Sequence, residues 1–431
     1  MGDRVNVSVV GAGKMGLPLA CALADRGARV TACDVNLATV EKINTGAAPF
    51  EEPGLTELLR RVVSTGNLKA TQDTSAAVAD SQVCIVIVPV KLTSNKTADL
   101  ATIESATRDV AKGLRAGTLV SFETTLPVGQ TRRLGRILES GGLRVGVDFD
   151  LAFSPERVKS QTVIRQLHAN PKVVGGATPS AAARAEKFYR EVLGAPTINV
   201  GSLEAAEFVK LAGMVYRDVN IALANELAGY AYALGLDFAV IRDAANTDGE
   251  AHILAPGIGV GGHCTPVYPY FLTHDAAARN IDTVLAANAR RINEAQPGRM
   301  LARAGGLSGK KVVILGLGFR PQVKEAAYSP AFSLRDEIEQ LGGSAFLHDP
   351  LFTEAEIRHF GFEPARIEDA EVLVLNTAHD SYRSLDFVDL ARAGVKTIVD
   401  GRDLWDGQVV TTAGLAYVGV GKPAPVNGSR E

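Results

Sequence analysis

Apolar residues in this chain fall into short continuous runs separated by stretches of helical spacing. Val5–Val10 reads as a buried strand, Gly11–Gly16 as a turn, and Leu17–Asp25 as an apolar helix that Gly27 ends. Arg29–Cys33 is a second strand, closed by Asp34. Val83–Val88, Leu119–Phe122, Leu151–Ser154 and Val173–Val174 continue the series. Strands alternating with helices predict a parallel sheet covered on both faces. Glu204–Leu234 runs without proline and predicts one long helix, with Lys210, Arg217, Asn220, Asn225 and Glu226 set among alanines and leucines. Lys311–Leu315 starts a second series: Gly316-Leu317-Gly318, a helix at Ser333–Leu341, a strand ending at His348-Asp349-Pro350, and strands at Val372–Leu375 and Thr397–Asp400. The expectation is an α/β protein with two doubly wound units joined by a long central helix. Its segments are 1–200, 201–305, 306–421 and a loose tail at 422–431.

Composition narrows the function classes. Hydrophobic residues are 46% of 431 and charged residues 22%, enough for sizeable cores in about three ordinary domains. A net charge of −3 and the lack of any Lys/Arg run argue against a nucleic-acid surface. Val83–Val90, the longest plain apolar run, is too short to cross a bilayer. The start, Met1-Gly2-Asp3-Arg4-Val5-Asn6, lacks the Ser/Thr of a myristoylation signal and leads straight into a strand rather than a signal peptide. Four scattered cysteines form no disulfide framework. His252, His274, His348, His359 and His379 have no metal-ligand spacing, so no metal is expected. A soluble, cytoplasmic protein with no membrane partner is the simple expectation.

The first turn reads G-x-G-x-x-G between a strand and a helix, and Asp34 ends the next strand. In that context the motif predicts a Rossmann-like dinucleotide site. The first glycine makes the tight turn, the second admits the pyrophosphate, and the helix N-terminus faces its charge. Asp34 suits a ribose 2′-hydroxyl and would repel a 2′-phosphate, which favours NAD over NADP.

Pro256-Gly257-Ile258-Gly259-Val260-Gly261-Gly262-His263-Cys264-Thr265-Pro266 packs four glycines ahead of one cysteine. Cys21, Cys33 and Cys84 lie in apolar helix or strand patterns and read as buried structural thiols. Cys264 has Gly, His, Thr and Pro as neighbours, a setting for a nucleophile. Neighbouring residues point apart, so His263 is not paired with it. A glycine-bedded thiol beside an NAD site suits a specific chemistry. A thiolate can trap an aldehyde as a thiohemiacetal, a second hydride loss gives a thioester, and water releases an acid.

The chain resembles the UDP-glucose/GDP-mannose 6-dehydrogenase family along nearly its whole length. The residues that carry this are Gly11-Ala12-Gly13-Lys14-Met15-Gly16, Glu123-Thr124-Thr125-Leu126-Pro127-Val128-Gly129, Ser154-Pro155-Glu156-Arg157-Val158, Lys210-Leu211, Arg217-Asp218-Val219-Asn220-Ile221-Ala222, Gly261-Gly262-His263-Cys264-Thr265-Pro266, Gly318-Phe319-Arg320 and His348-Asp349-Pro350. The resemblance implies oxidation of a nucleotide-sugar C6 hydroxyl to a carboxylate with two NAD. It assigns 1–200 to NAD binding, 201–305 to a helical dimerisation segment with the cysteine loop, and 306–421 to nucleotide-sugar binding. Cys264 would be the nucleophile, Lys210 the oxyanion partner, Glu156 the group that activates water, and Thr125 a contact to cofactor and water. Cofactor contacts are implied at Gly11, Gly13, Lys14, Met15, Gly16, Asp34, Val88, Pro89 and Thr125. Substrate contacts are implied at Glu156, Arg157, Lys210, Gly259, Gly261, Gly262, Phe319 and Arg320.

Four positions depart from the family pattern. Met214 stands where Asn is usual, Tyr268 where Asp is frequent, Ala255 where a cation is common, and Ala327 in place of an arginine. Methionine cannot supply the hydrogen bonds of an amide, and two lost cations weaken diphosphate binding. The His-containing cysteine loop points to a UDP-N-acetylhexosamine such as UDP-ManNAc or UDP-GlcNAc, with UDP-glucose also open. A two-electron dehydrogenase acting on an altered nucleotide, and a non-catalytic nucleotide-binding homologue, stay as alternatives. The helix Glu204–Leu234 suggests a homodimer.

Overall fold

The computed structural model describes residues 4–423. All but the first two residues of the expected tail, and the first three residues of the chain, lie outside the described residues. The chain forms two compact units. One holds the chain up to Gly213 with His274–Arg279, and the other holds Met214–Thr273 with the chain from Asn280 on.

The first unit is built on β1 (Asn6–Val10), β2 (Arg29–Cys33), β3 (Leu68–Thr71), β4 (Val83–Val86), β5 (Leu119–Phe122), β6 (Asp150–Phe153), β7 (Lys172–Gly176) and β8 (Thr197–Ser202). They order as β8-β7-β6-β5-β4-β1-β2-β3. Every pair is parallel except β6 with β7, where Ala152 pairs Gly176 in antiparallel register. The central strands are buried throughout, as both-face coverage requires. One apolar layer gathers Val7, Val9, Leu17, Leu23 and Val30, and the other Val10, Val86, Phe122 and Phe153. Helix α1 (Gly16–Asp25) is buried from Gly16 to Ala24 because it lies in the first layer. The strand order reverses between β1 and β4, and such a switch point opens a crevice at the carboxyl ends of the strands.

The second unit carries β9 (Lys311–Leu315), β10 (Ser344–His348), β11 (Glu363–Pro364), β12 (Val372–Leu375), β13 (Thr397–Asp400) and β14 (Ala416–Gly419). Their order is β11-β10-β9-β12-β13-β14, all parallel. Two apolar layers again cover the sheet. The long helix, α3 (Leu203–Ala233), matches its expected span within one residue at each end; α2 (Gln130–Leu138) precedes it. Strands β3, β8, β11 and β14 were not expected from the pattern. Strand β8, at the sheet edge, has only half-buried and exposed residues, so it lacks an apolar run. Cys21, Cys33 and Cys84 are buried as expected, and burial pushes each thiol up to about 12.

Candidate active site

The turn after β1 is fixed by backbone. Gly11 has φ +103°, and a Cβ there would lie 2.8 Å from the Ile87 carbonyl oxygen. A Cβ on Gly16 would lie 1.9 Å from the Gly11 oxygen, so α1 can start only with glycine. A Cβ on Gly13 would meet nothing within 4 Å, so this glycine leaves open space in front of the turn. Asp34 accepts from the N–H groups of Ala12 (3.1 Å) and Asn36 (2.9 Å), tying the turn to the end of β2. Val88 packs on Gly11 and accepts the Thr124 hydroxyl at 2.7 Å. Lys14 and Pro89 are exposed and Met15 is half-buried. A carboxylate at the end of β2, an open glycine and a helix N-terminus together fit a dinucleotide, and Gly11, Gly13, Gly16 and Asp34 are the residues that would hold it.

The second unit repeats this construction. Gly316 has φ +95°, and its N–H donates to the His348 oxygen at 2.8 Å, as the Gly11 N–H does to Cys33. Leu317 N–H donates to Asp349 at 2.6 Å, as Ala12 does to Asp34.

The carboxyl ends of β5 and β6 and the amino end of the antiparallel β7 meet at Glu156. It follows β6, and its Oε1 accepts the N–H groups of Arg157 (2.6 Å) and Val158 (3.1 Å). Lys210, on α3, is buried and donates to the Glu156 main-chain oxygen at 2.7 Å, so it is not a solvated helix charge. Behind Glu156 lies Lys172 of β7, whose ammonium is 2.7 Å from Glu123 Oε2 and 3.3 Å from Glu156 Oε2. Tyr189 donates its hydroxyl to Glu123 Oε1 at 2.7 Å and lies 2.8 Å from Ser121 Oγ. Burial pushes Glu123 up to about 7 against the pull of Lys172. Burial also acts to raise Glu156, but Lys172, the Arg157 N–H, Glu123 and Lys210 outweigh it and hold the carboxyl below its ordinary range. Arg157 sends its guanidinium to the Pro171 oxygen at 2.5 Å rather than to Glu156. Thr125 is buried at the end of β5.

The cysteine loop belongs to the second unit, and side chains on two helices anchor it. Asn225 on α3 accepts the Gly257 N–H at 2.9 Å. Arg290 on α4 (Val284–Glu294) reaches the Pro266 oxygen and makes a two-pronged pair with Asp218 at 2.7 and 2.7 Å. Asn293 bonds both Asp218 and Asn225. A Cβ on Gly259 would lie 2.8 Å from Pro330, and one on Gly261 2.5 Å from Phe319. Gly262, at φ +101°, would meet the Phe319 ring and donates its N–H to Ala327 at 2.9 Å. The structure therefore brings Gly259, Gly261, Gly262 and Phe319 together, with Arg320 next in the chain. Cys264 is half-buried, and its carbonyl accepts the N–H groups of Val267 and Tyr268. His263 turns to Glu325 at 2.7 Å.

Family models match in three consecutive segments. The UDP-glucose/GDP-mannose dehydrogenase NAD binding domain covers residues 5–193, its central domain 204–295 and its UDP binding domain 313–407. The chain belongs to the UDP-glucose/GDP-mannose dehydrogenase family. It is an NAD-dependent dehydrogenase. It is 35% identical to UDP-N-acetyl-D-mannosamine dehydrogenase of Pyrococcus horikoshii, over 97% of this chain and 99% of that one. It is 33% identical to NDP-N-acetyl-D-galactosaminuronic acid dehydrogenase of Ralstonia nicotianae, over 94% and 97%. Among solved structures, the UDP-D-ManNAc dehydrogenase of Pyrococcus horikoshii aligns with a TM-score of 0.86 at 33% identity, covering 96% of this chain and 99% of that one. A UDP-glucose dehydrogenase from Pyrobaculum islandicum aligns with a TM-score of 0.87 at 28% identity, covering 97% and 98%.

The family's departures in this dehydrogenase have plain positions. Met214 is half-buried on α3, Ala255 is exposed, the Tyr268 ring meets that of Phe271 at a tilt, and Ala327 offers its oxygen to Gly262. Sequence reasoning missed Lys172, Tyr189, Arg290 and Asn293; Glu123 and Asp218 stood inside noted motifs, without a role. Among the described residues no cluster of three His, Cys, Asp or Glu could hold a metal, and no helix is long and apolar enough to cross a membrane. A shallow cleft of about 670 Å³ in the second unit carries no chemistry, since its acids, Asp386 and Asp406, are helix caps.

Proposed function

We propose that this dehydrogenase oxidises the C6 hydroxyl of a UDP-N-acetylhexosamine to the uronic acid, with Cys264 as the nucleophile. The observation that carries the substrate choice is the full-length likeness to relatives named for N-acetylated hexosamine nucleotides. NAD, when bound, accepts a hydride in each of two oxidations. The Cys264 thiolate adds to the C6 aldehyde carbon and forms the C–S bond of a thiohemiacetal. Loss of the remaining C6 hydride leaves a thioester. Water then adds to the carbonyl, the C–S bond breaks, and the acid leaves with the thiol restored.

The roles of the other residues follow from their chemistry. Lys210 holds the developing oxyanion with its ammonium, a strong electrostatic partner in a buried setting. Glu156, kept ionised by its cations, accepts the proton of the hydrolytic water. Thr125 contacts cofactor and water. Gly259, Gly261, Gly262, Phe319 and Arg320 bind the nucleotide sugar with Arg157. Residues 1–200 bind NAD, 201–305 carry the cysteine loop and a homodimer contact through α3, and 306–421 bind the nucleotide.

Counting NADH per sugar tests this reading. Two NADH per UDP-ManNAc or UDP-GlcNAc, with a uronic acid as product, is the expected result. One NADH per sugar would overturn it in favour of a two-electron dehydrogenase. No thermal stabilisation by any nucleotide sugar would favour a non-catalytic homologue.

A further inference from the structure

Glu156 is joined to a buried set of groups that the proposed reaction does not otherwise use. Lys172 is 5% exposed and Glu123 0%, and the ammonium lies between the two carboxylates. The two carboxyls share the Lys172 ammonium and act on one another's charge. Tyr189, fully buried at the first position of the π-helical turn Tyr189–Leu193, closes the set on Glu123 Oε1. Its ring also receives the Lys172 ammonium at 4.9 Å from the centroid. The groups that face Glu156 are therefore Glu123 after β5, Lys172 on β7, Lys210 on α3 and the backbone N–H groups of Arg157 and Val158. Two carboxylates and two ammoniums are neutral together when all four are ionised. Like charges this close and this deep resist joint ionisation, so once both carboxyls are ionised the pair is poised to take back one proton. A cavity of about 10 Å³, near the minimum for one water, lies beside Glu156, Asn170 and Lys172.

We propose that Glu123, Lys172 and Tyr189 form a positioning and proton-holding network for Glu156. Lys172 fixes the Glu156 carboxylate, and Glu123 takes up the proton that Glu156 removes from the hydrolytic water. This rests on the thioester route proposed above. In the balanced step the water oxygen bonds to the thioester carbon and the C–S bond breaks to the Cys264 thiolate. One water proton passes to Glu156 and on to Glu123, and the other leaves as the product acid ionises. Tyr189 and Lys172 hold Glu123 in place by donating to its two oxygens.

The test uses the full chain with NAD. Acid release by rapid quench and the first NADH burst are followed between about pH 5.5 and 8.5. In the wild type, acid release should rise through an ionisation near 7, the value to which burial brings Glu123. Glu123→Gln should lose that limb while the first burst is unchanged. Lys172→Met should slow acid release at neutral pH about tenfold or more, and Lys172→Arg should restore most of it. If Lys172→Met does not fold, Glu123→Gln carries the decision. A second readout needs no substrate: the infrared difference between wild type and Glu123→Gln should show one buried carboxyl titrating near neutrality. An unchanged pH limb in Glu123→Gln, or no such carboxyl band, overturns the network. A wild type that makes no acid at all while the band is present rejects the thioester route and leaves the proton-holding pair standing.

Discussion

Removing Arg290 should loosen the cysteine loop and weaken the second unit. Arg290 is 4% exposed and Asp218 0%, and their pair uses two donors at 2.7 Å. Arg290 also reaches the Pro266 oxygen, two residues beyond Cys264. In Arg290→Met, Asp218 keeps its side-chain bond from Asn293 at 2.8 Å and little else. Burial already pushes the Asp218 carboxyl up against the pull of Arg290, so losing the cation raises it further. Breaking a buried pair on one side costs about 3–5 kcal/mol. That corresponds to a fall of roughly 10 °C in the melting transition of a unit this size. Calorimetric unfolding of Arg290→Met checks the loss. Iodoacetamide labelling of Cys264, read by peptide mass, checks that the loop has loosened and labels faster. The double variant Asp218→Leu/Arg290→Met should recover most of the stability, because no buried charge is then left alone. A single variant within about 1 kcal/mol of wild type, with unchanged labelling, would refute the reasoning.

Three further outcomes follow from the same contacts. Gly16→Ala should abolish NAD binding by titration calorimetry and cost about 1–3 kcal/mol or more, because its Cβ would lie 1.9 Å from a backbone oxygen that cannot move aside. Glu207→Ala should lower the urea midpoint by an amount equal to about 2–3 kcal/mol, because Glu207 of α3 accepts the Gly129 and Thr131 N–H groups and the Thr131 hydroxyl at the start of α2; an unchanged midpoint would contradict this. The folded chain binds the Glu123 proton more tightly than the unfolded chain does between the ordinary 4.5 and about 7. This part of the stability is therefore complete below the lower value and is lost as pH rises through the upper one, on the order of 1–3 kcal/mol. Glu123→Gln should flatten the stability slope in that window. Glu156 has the opposite sign, its contribution being lost as pH falls through its lowered value.

The parts legible in the sequence were those that bury apolar side chains or need glycine. β2, β5, β12 and β13 are short segments built around apolar residues, and their boundaries agree with the pattern residue for residue. α3 was legible because thirty-one residues of helical composition contain no proline. Gly11 and Gly16 were legible because a turn without room for a Cβ admits nothing else. Lys172 was hidden because a lysine beside Asn170-Pro171 looks like an exposed strand end, and its burial depends on two carboxylates brought from β5 and β6. Arg290 and Asn293 sit in an ordinary charged helix sequence, and their role depends on packing against Asp218, seventy-odd residues earlier in the chain. The antiparallel pairing of β6 and β7 left no mark in composition, since strand direction is set by the connection between them.

A carbonyl carbon bound to one sulfur is the step on which the account turns. Turnover of UDP-ManNAc with NAD, stopped in acid and followed by peptide mapping, tests it most directly. The account predicts a sugar-nucleotide mass on the peptide that holds Cys264, absent in Cys264→Ser, which still binds NAD. Uronic acid formed at the wild-type rate by Cys264→Ser, with no adduct in either protein, would contradict it.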